Sequence, residues 1–106
     1  MSSSSKGHNF ERRVFKILKS FGFYAVRSAG SHGVFDVVGI KHGLIIGVQC
    51  KVNRNPTRDE MKAMANAYHD FGIFPIAAVR KKRKIFWINI LTGDVANDLR
   101  ILLDNR

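Results

Sequence analysis

Cysteine, acidic residues and long apolar runs are all scarce in this chain, and each shortage excludes something. One cysteine, Cys50, in 106 residues cannot close an internal disulfide, which rules out a disulfide-stapled scaffold. No apolar run approaches the roughly 20 residues that cross a bilayer, and no membrane partner is expected. The N-terminus lacks the charged-then-apolar pattern of a secretory leader, so a reducing, cytoplasmic setting is the expectation. No internal repeat or low-complexity linker divides the chain, which implies one compact unit. The four histidines, His8, His32, His42 and His69, show no transition-metal ligand spacing. They read as turn, surface or phosphate-contact residues, and no zinc site is expected.

The shortage of acids has the largest consequence. Eight Asp and Glu stand against 18 Lys and Arg, a formal net charge of +10, and such a balance attracts polyanions. The cations are spread over several elements and do not follow one amphipathic helix, which favours a polynucleotide over a membrane surface. Hydrophobic residues make up 45% of the chain, enough for the core of a small domain.

Phe10, Val14, Ile17, Leu18 and Phe21 recur at helical spacing with Arg12, Arg13, Lys16 and Lys19 off the stripe, predicting an amphipathic helix from Lys6 or His8 to Ser20. Residues 1–5 form a flexible lead-in ahead of it. Gly22 ends the helix, Phe23 to Arg27 alternates as a strand, and Ser28 to Gly33 forms a loop. Two further strands, Val34 to Ile40 and Leu44 to Lys51, flank the turn residues Lys41-His42-Gly43. Thr57-Arg58-Asp59-Glu60 is a capping box that opens a second helix, whose buried stripe is Met61, Met64, Ala65 and Tyr68. Strands Phe74 to Arg80 and Ile85 to Ile90 follow, joined by the cationic turn Lys81-Lys82-Arg83-Lys84, and Val95, Leu99, Leu102 and Leu103 mark a closing helix. The expected order is αβββαββα. Leu44 to Val48 is almost wholly apolar and must be covered on both faces, so the fold class is α/β, a mixed sheet flanked by helices.

Chemistry concentrates in the central hairpin. With a two-residue His42-Gly43 loop, Lys41 faces Leu44 and Asp36 falls opposite Gln49. Alternation places Lys51 on the same face as Gln49, so three polar groups meet at one end of an apolar ribbon. A three-residue loop would set Asp36 against Val48 instead, burying an acid among apolar neighbours. Cys50 points to the other face and reads as a small core residue. Trp87, Phe86 and Tyr68 read as core, and Phe71, Ile73 and Phe74 as core or a dimer seam.

From Lys6 to about Met64 the chain resembles the archaeal-type Holliday-junction resolvases of the PD-(D/E)xK nuclease superfamily. The resemblance rests on Lys6-Gly7 with Phe10-Glu11-Arg12, on Arg27-Ser28-Ala29-Gly30-Ser31, on Phe35-Asp36-Val37-Val38, and on Gln49-Cys50-Lys51 before a polar loop and helix. It implies a restriction-endonuclease-like domain over residues 6–106 and an endonuclease acting on four-way or related branched DNA as a homodimer. It also implies a catalytic set of Glu11, Ser31, Asp36, Gln49 and Lys51. Glu11, Asp36, Gln49 and the backbone carbonyl of Cys50 would hold Mg²⁺, for which Mn²⁺ may substitute. Lys51 would orient the attacking water and neutralise phosphate charge, and Ser31 would assist at the scissile phosphate. Lys6, Arg12, Arg13, Arg54, Arg58, Lys81, Lys82, Arg83 and Lys84 would hold phosphates without reading sequence.

The chain departs from the motif at Phe35, where the name has proline, and at Gln49, where it has an acid. A glutamine oxygen can ligate a hard cation but brings no charge, so Glu11 must contribute more. Plainer readings stand beside these: Asp36 and Lys51 as a surface ion pair, and Glu11 as the helix-surface partner of Arg12 or Lys16. Two other functions stay open, a non-catalytic nucleic-acid binder that keeps the nuclease fold and a general DNA nuclease, with an RNA-binding accessory protein a more distant third.

Overall fold

The computed structural model describes the backbone of residues 2–28 and 33–106, with side chains from residue 7 onward within them. The elements are α1 (Ser2–Ser20), β1 (Tyr24–Arg27), β2 (Val37–Lys41), β3 (Leu44–Val52), α2 (Arg58–Phe71), β4 (Phe74–Lys81), β5 (Lys84–Asn89), β6 (Val95–Ala96) and α3 (Leu99–Asp104). They form one six-stranded sheet in sequential order, antiparallel throughout except where β3 and β4 run parallel with α2 as their crossover. The expected αβββαββα order is present, and the short β6 is added to it. Among the described residues no helix is long and apolar enough to cross a membrane.

One core explains the layering. Phe10, Val14 and Leu18 of α1 and Leu99 and Leu102 of α3 are buried in a cluster with Val37, Ile46, Val48, Phe74, Ile76, Ala78 and Trp87. Strand alternation puts that sheet set on one face, so Pro75, Ala77 and Val79, also buried, need cover on the other. The crossover helix α2 supplies it over β4 through Met64. Each fully buried Val, Leu or Met is worth about 1.5–3 kcal/mol of transfer, far more than the exposed ion pairs contribute.

Several boundaries differ from the sequence reading. Helix α1 extends back to Ser2, so the backbone of the expected lead-in is helical from there on. The closing helix starts at Leu99 and not near Val95, because Val95 and Ala96 pair with Ile88 and Trp87 and Asp98 caps the helix by accepting from Arg100 N. On α2 only Met64 of the expected stripe is fully buried; Met61 and Tyr68 are exposed, since the helix packs on β4 and leaves β1 and β2 bare on that face. The cationic turn is tighter than expected: Lys81 pairs with Lys84, leaving Lys82 and Arg83 as the loop.

The hairpin turn forms as expected. Lys41 pairs with Leu44, and His42 and Gly43 both have positive φ, 47° and 81°, as a type I′ turn requires. Lys41 Nζ also donates to Phe21 O at 2.7 Å, tying the hairpin to the end of α1. The ladder then runs to Val37↔Val48 and stops there. The reason is Phe35, whose ring lies on Gly47: a Cβ there would stand 2.6 Å from ring carbons. Gly47→Ala should therefore lose about 1–3 kcal/mol of unfolding free energy, read from the urea midpoint. An unchanged midpoint would mean that Phe35 does not depend on the missing Cβ.

Candidate active site

At the end of the β2–β3 ladder the two chains do not continue in register. Asp36 N donates to Val48 O at 2.8 Å, where the register would have paired Asp36 with Gln49. The expectation that Asp36 lies directly opposite Gln49 is thus off by one residue, although the loop length behind it is right. Cys50 N–H, which a continued ladder would satisfy with a backbone carbonyl, donates instead to Asp36 Oδ2 at 2.8 Å. Gln49 Nε2 donates to Val34 O at 3.2 Å, which fixes the orientation of its amide. A side-chain carboxylate has taken a ladder position. On the other side of β2 the pairing persists, with Ser28 N donating to Asp36 O at 2.8 Å.

Asp36 sits where two groups of charge meet. Burial raises its carboxyl above the usual aspartate range; the Cys50 N–H and Lys51 pull it down, and Glu60 adds to the rise. Glu11, on α1, is also raised, first by burial and then by the Asp36 carboxylate. Two carboxylates that disfavour each other's charge form an arrangement a bound cation would relieve. Arg27 partly offsets it, 3.6 Å from Glu11 while donating to His8 O at 3.3 Å. The partner of Glu11 is therefore Arg27, across the helix–sheet boundary, and not Arg12 or Lys16.

Gln49 and Lys51 are both buried. Gln49 Oε1 has no hydrogen-bond partner, and a buried acceptor left this way costs about 1–3 kcal/mol. Lys51 Nζ donates to Glu60 Oε2 at 2.5 Å, so the lysine is neither simply solvated nor paired directly with Asp36. Cys50 packs against the core as expected, and burial pushes its thiol well above the ordinary range, which leaves it protonated and a poor nucleophile.

The structure thus gathers Glu11, Asp36, Gln49 and Lys51 at one end of the sheet. Ser31 lies outside the described residues, as does the side chain of Lys6. Among the described residues no group of three or more His, Cys, Asp or Glu could hold a metal. The donors present still suit a hard cation: two raised carboxylates and an orphaned amide oxygen are all oxygen ligands.

The phosphate-holding candidates divide by place. Arg54 lines a hollow of about 330 Å³ with Gly7, Phe10, Cys50, Lys51 and Val52. Because β4 is parallel to β3, with Arg80 beside Val52, the exposed Lys81 to Lys84 turn lies at the same end of the sheet. Arg13 lines a neighbouring hollow with Asn9, Phe10 and Arg80, and Arg12 and Arg58 are exposed. Three residues were missed. Arg27 and Arg80 carry only the signal of a cation ending a strand, and Glu60 was already absorbed by the capping box.

The raised Asp36 carboxyl has a consequence for stability. A folded-state value above the unfolded one means that ionised Asp36 opposes folding at neutral pH, and that this cost disappears as pH falls through the carboxylate range. Asp36→Asn keeps an acceptor for Cys50 N–H and removes the charge. It should melt above the parent at pH 7, with the difference shrinking towards zero as pH falls below the ordinary aspartate value. A variant less stable at every pH would show that the carboxylate is structural.

The family model for the archaeal Holliday junction resolvase (hjc) matches residues 2–101. The chain is 28% identical over 88 residues to the crossover junction endodeoxyribonuclease Hjc of Methanocaldococcus jannaschii. That match covers 79% of this chain and 65% of the relative, so this chain spans just under two thirds of the relative's length. In fold it is similar to the Holliday junction resolvase Hjc of Archaeoglobus fulgidus, with a TM-score of 0.69 at 23% identity over 81% of this chain and 74% of that one. With the family model spanning nearly the whole sequence, the chain belongs to the archaeal Holliday junction resolvase family.

Proposed function

We propose that this protein is a divalent-metal-dependent endonuclease that cuts four-way or related branched DNA. The observation that carries the reading is Asp36, a carboxylate held by the Cys50 N–H at a broken ladder, with Glu11 and Gln49 around it and Lys51 two residues beyond Gln49. Membership in the resolvase family and the +10 charge support it.

Asp36, Glu11, Gln49 Oε1 and the Cys50 carbonyl would hold the cation, Mg²⁺ or in its place Mn²⁺. When bound, such an ion supplies Lewis-acid charge and a water acidic enough to act as nucleophile. The protein's own groups do the rest. Lys51, buried and paired with Glu60, would place positive charge beside Asp36, where charge builds on the phosphate oxygens as water attacks phosphorus and the phosphorus–oxygen bond to the leaving sugar breaks. Arg54, Arg80 and the Lys81 to Lys84 turn would hold flanking phosphates at the same end of the sheet, with Arg12, Arg13, Arg58 and Lys6 adding charge.

Symmetric cutting of two strands needs two sites, and a second copy of the chain would supply the other. Tyr24, Val26 and Ile40 stand exposed on the face that α2 leaves bare, and Phe71, at the end of α2, is 73% exposed. These are exposed apolar side chains of the kind a homodimer would cover. Light scattering should give twice the chain mass, falling to a monomer on Phe71→Asp with Tyr24→Lys; a monomeric parent would contradict the dimer.

On a labelled synthetic junction, Asp36→Asn and Lys51→Ala should each lower the single-turnover cutting rate by about 100-fold or more, while junction affinity measured without metal stays within about threefold of the parent. Loss of binding in step with cutting would make both residues structural, and undiminished cutting would remove them from the chemistry.

A further inference from the structure

Glu60 is the acid at this site that the motif does not account for. It is residue N3 of α2 and completes a capping box: its backbone N–H donates to Thr57 Oγ1 at 3.1 Å, and its Oε1 accepts from Thr57 N at 2.8 Å. A capping box needs only that one oxygen. The second, Oε2, accepts from Lys51 Nζ. The pair is well built: the Lys51 side chain is 9% exposed and that of Glu60 28%, and the cap fixes the Glu60 side chain on the first turn of α2. In a half-buried setting such a pair restricts its lysine far more than a surface bridge does. The acidic complement of the site is also short by one. Gln49 is uncharged, its Oε1 is unpartnered, and Glu60 brings a carboxylate to Lys51, which stands two residues beyond Gln49 on the same face of β3.

We infer that Glu60 is the positioning residue for Lys51 and that its carboxylate supplies, from α2, the negative charge that position 49 lacks. The inference deepens the nuclease reading and rests on it for the chemistry, but not for the geometry. Both oxygens of Glu60 are committed, one to the cap and one to the lysine, so it acts through Lys51 and by charge. An ammonium bonded to a carboxylate that is itself held by a helix cap is fixed in place beside Asp36. Position 49 and position 60 are then alternative seats for one charge, and a chain with an acid at 49 would tolerate a neutral residue at 60.

Glu60→Gln separates the roles, because glutamine serves a capping box as glutamate does but takes away the negative charge that pairs with Lys51. The variant should keep the melting temperature within a few degrees of the parent and cut a synthetic four-way junction about ten- to a hundredfold more slowly, with junction affinity unchanged. Adding Gln49→Glu should recover at least about tenfold of that loss. Cutting by Glu60→Gln within threefold of the parent would overturn the positioning role, and a double variant no faster than Glu60→Gln would overturn the shared-charge role. A measurement independent of cutting is the ¹⁵N resonance of the Lys51 ammonium. It should be protected from rapid proton exchange in the parent and lost in Glu60→Gln, and an unprotected parent signal would overturn the inference even if the junction is cut. If the parent cuts no DNA while the Lys51 signal behaves as stated, the nuclease reading falls and the positioning role stands.

Discussion

The β2–β3 ladder has to stop at Val37↔Val48, and the site depends on that stop. Three donors at the break find acceptors outside the regular ladder: Asp36 N–H gives to Val48 O, Cys50 N–H to Asp36 Oδ2, and Gln49 Nε2 to Val34 O. No donor is lost, so the break costs little in hydrogen bonding. Its effect is to bring a carboxylate to the sheet margin, where it faces Glu11 on one side and Lys51 with Glu60 on the other. A regular ladder would have aimed Asp36 away from one of these groups. The steric cause is small: Phe35 occupies the space of a Cβ that Gly47 does not have.

The electrostatics follow from that placement. Desolvation is the largest influence on both Glu11 and Asp36 and opposes their charge, whereas the Glu60 carboxyl is held down by Lys51 and by its cap despite some burial. The stability linked to Glu60 is thus present at neutral pH and lost as pH falls through its lowered value, opposite in sign to the other two. Energy that would otherwise favour the fold is held in two carboxylates poised for a cation, a pattern common at functional sites. Around them the parallel β3–β4 pair brings Lys51, Arg54, Arg80 and the Lys81 to Lys84 turn to one end of the sheet, so local acidity sits inside a positive margin.

Much of this was legible in the sequence because it is local. The His42-Gly43 turn follows from residues that accept positive φ, the start of α2 from Thr57 and Glu60, and the α1 stripe from a period that needs no partner to be read. The αβββαββα order and the gathering of Asp36, Gln49 and Lys51 at one end followed from these. What could not be read depends on contacts distant in sequence. The one-residue displacement of Asp36 comes from Phe35 meeting Gly47. The true partner of Glu11 is 16 positions away across a helix–sheet boundary, while Arg12 and Lys16 lay nearer in sequence. The capping-box pattern accounts for only one oxygen of Glu60, and the other meets Lys51 across a contact that no local pattern reveals. Helical spacing alone places Tyr68 on the buried stripe, but it stands exposed because α2 packs on β4 mainly through Met64.

The most direct test of the account is to incubate the purified protein with Mg²⁺ and a labelled four-way junction, beside a linear duplex made from the same arm sequences. Paired, symmetric cuts in the junction with the duplex left intact are the result the account predicts. Equal cutting of both substrates would contradict junction selectivity, and binding of the junction without cuts in Mg²⁺ or Mn²⁺ would contradict the nuclease itself.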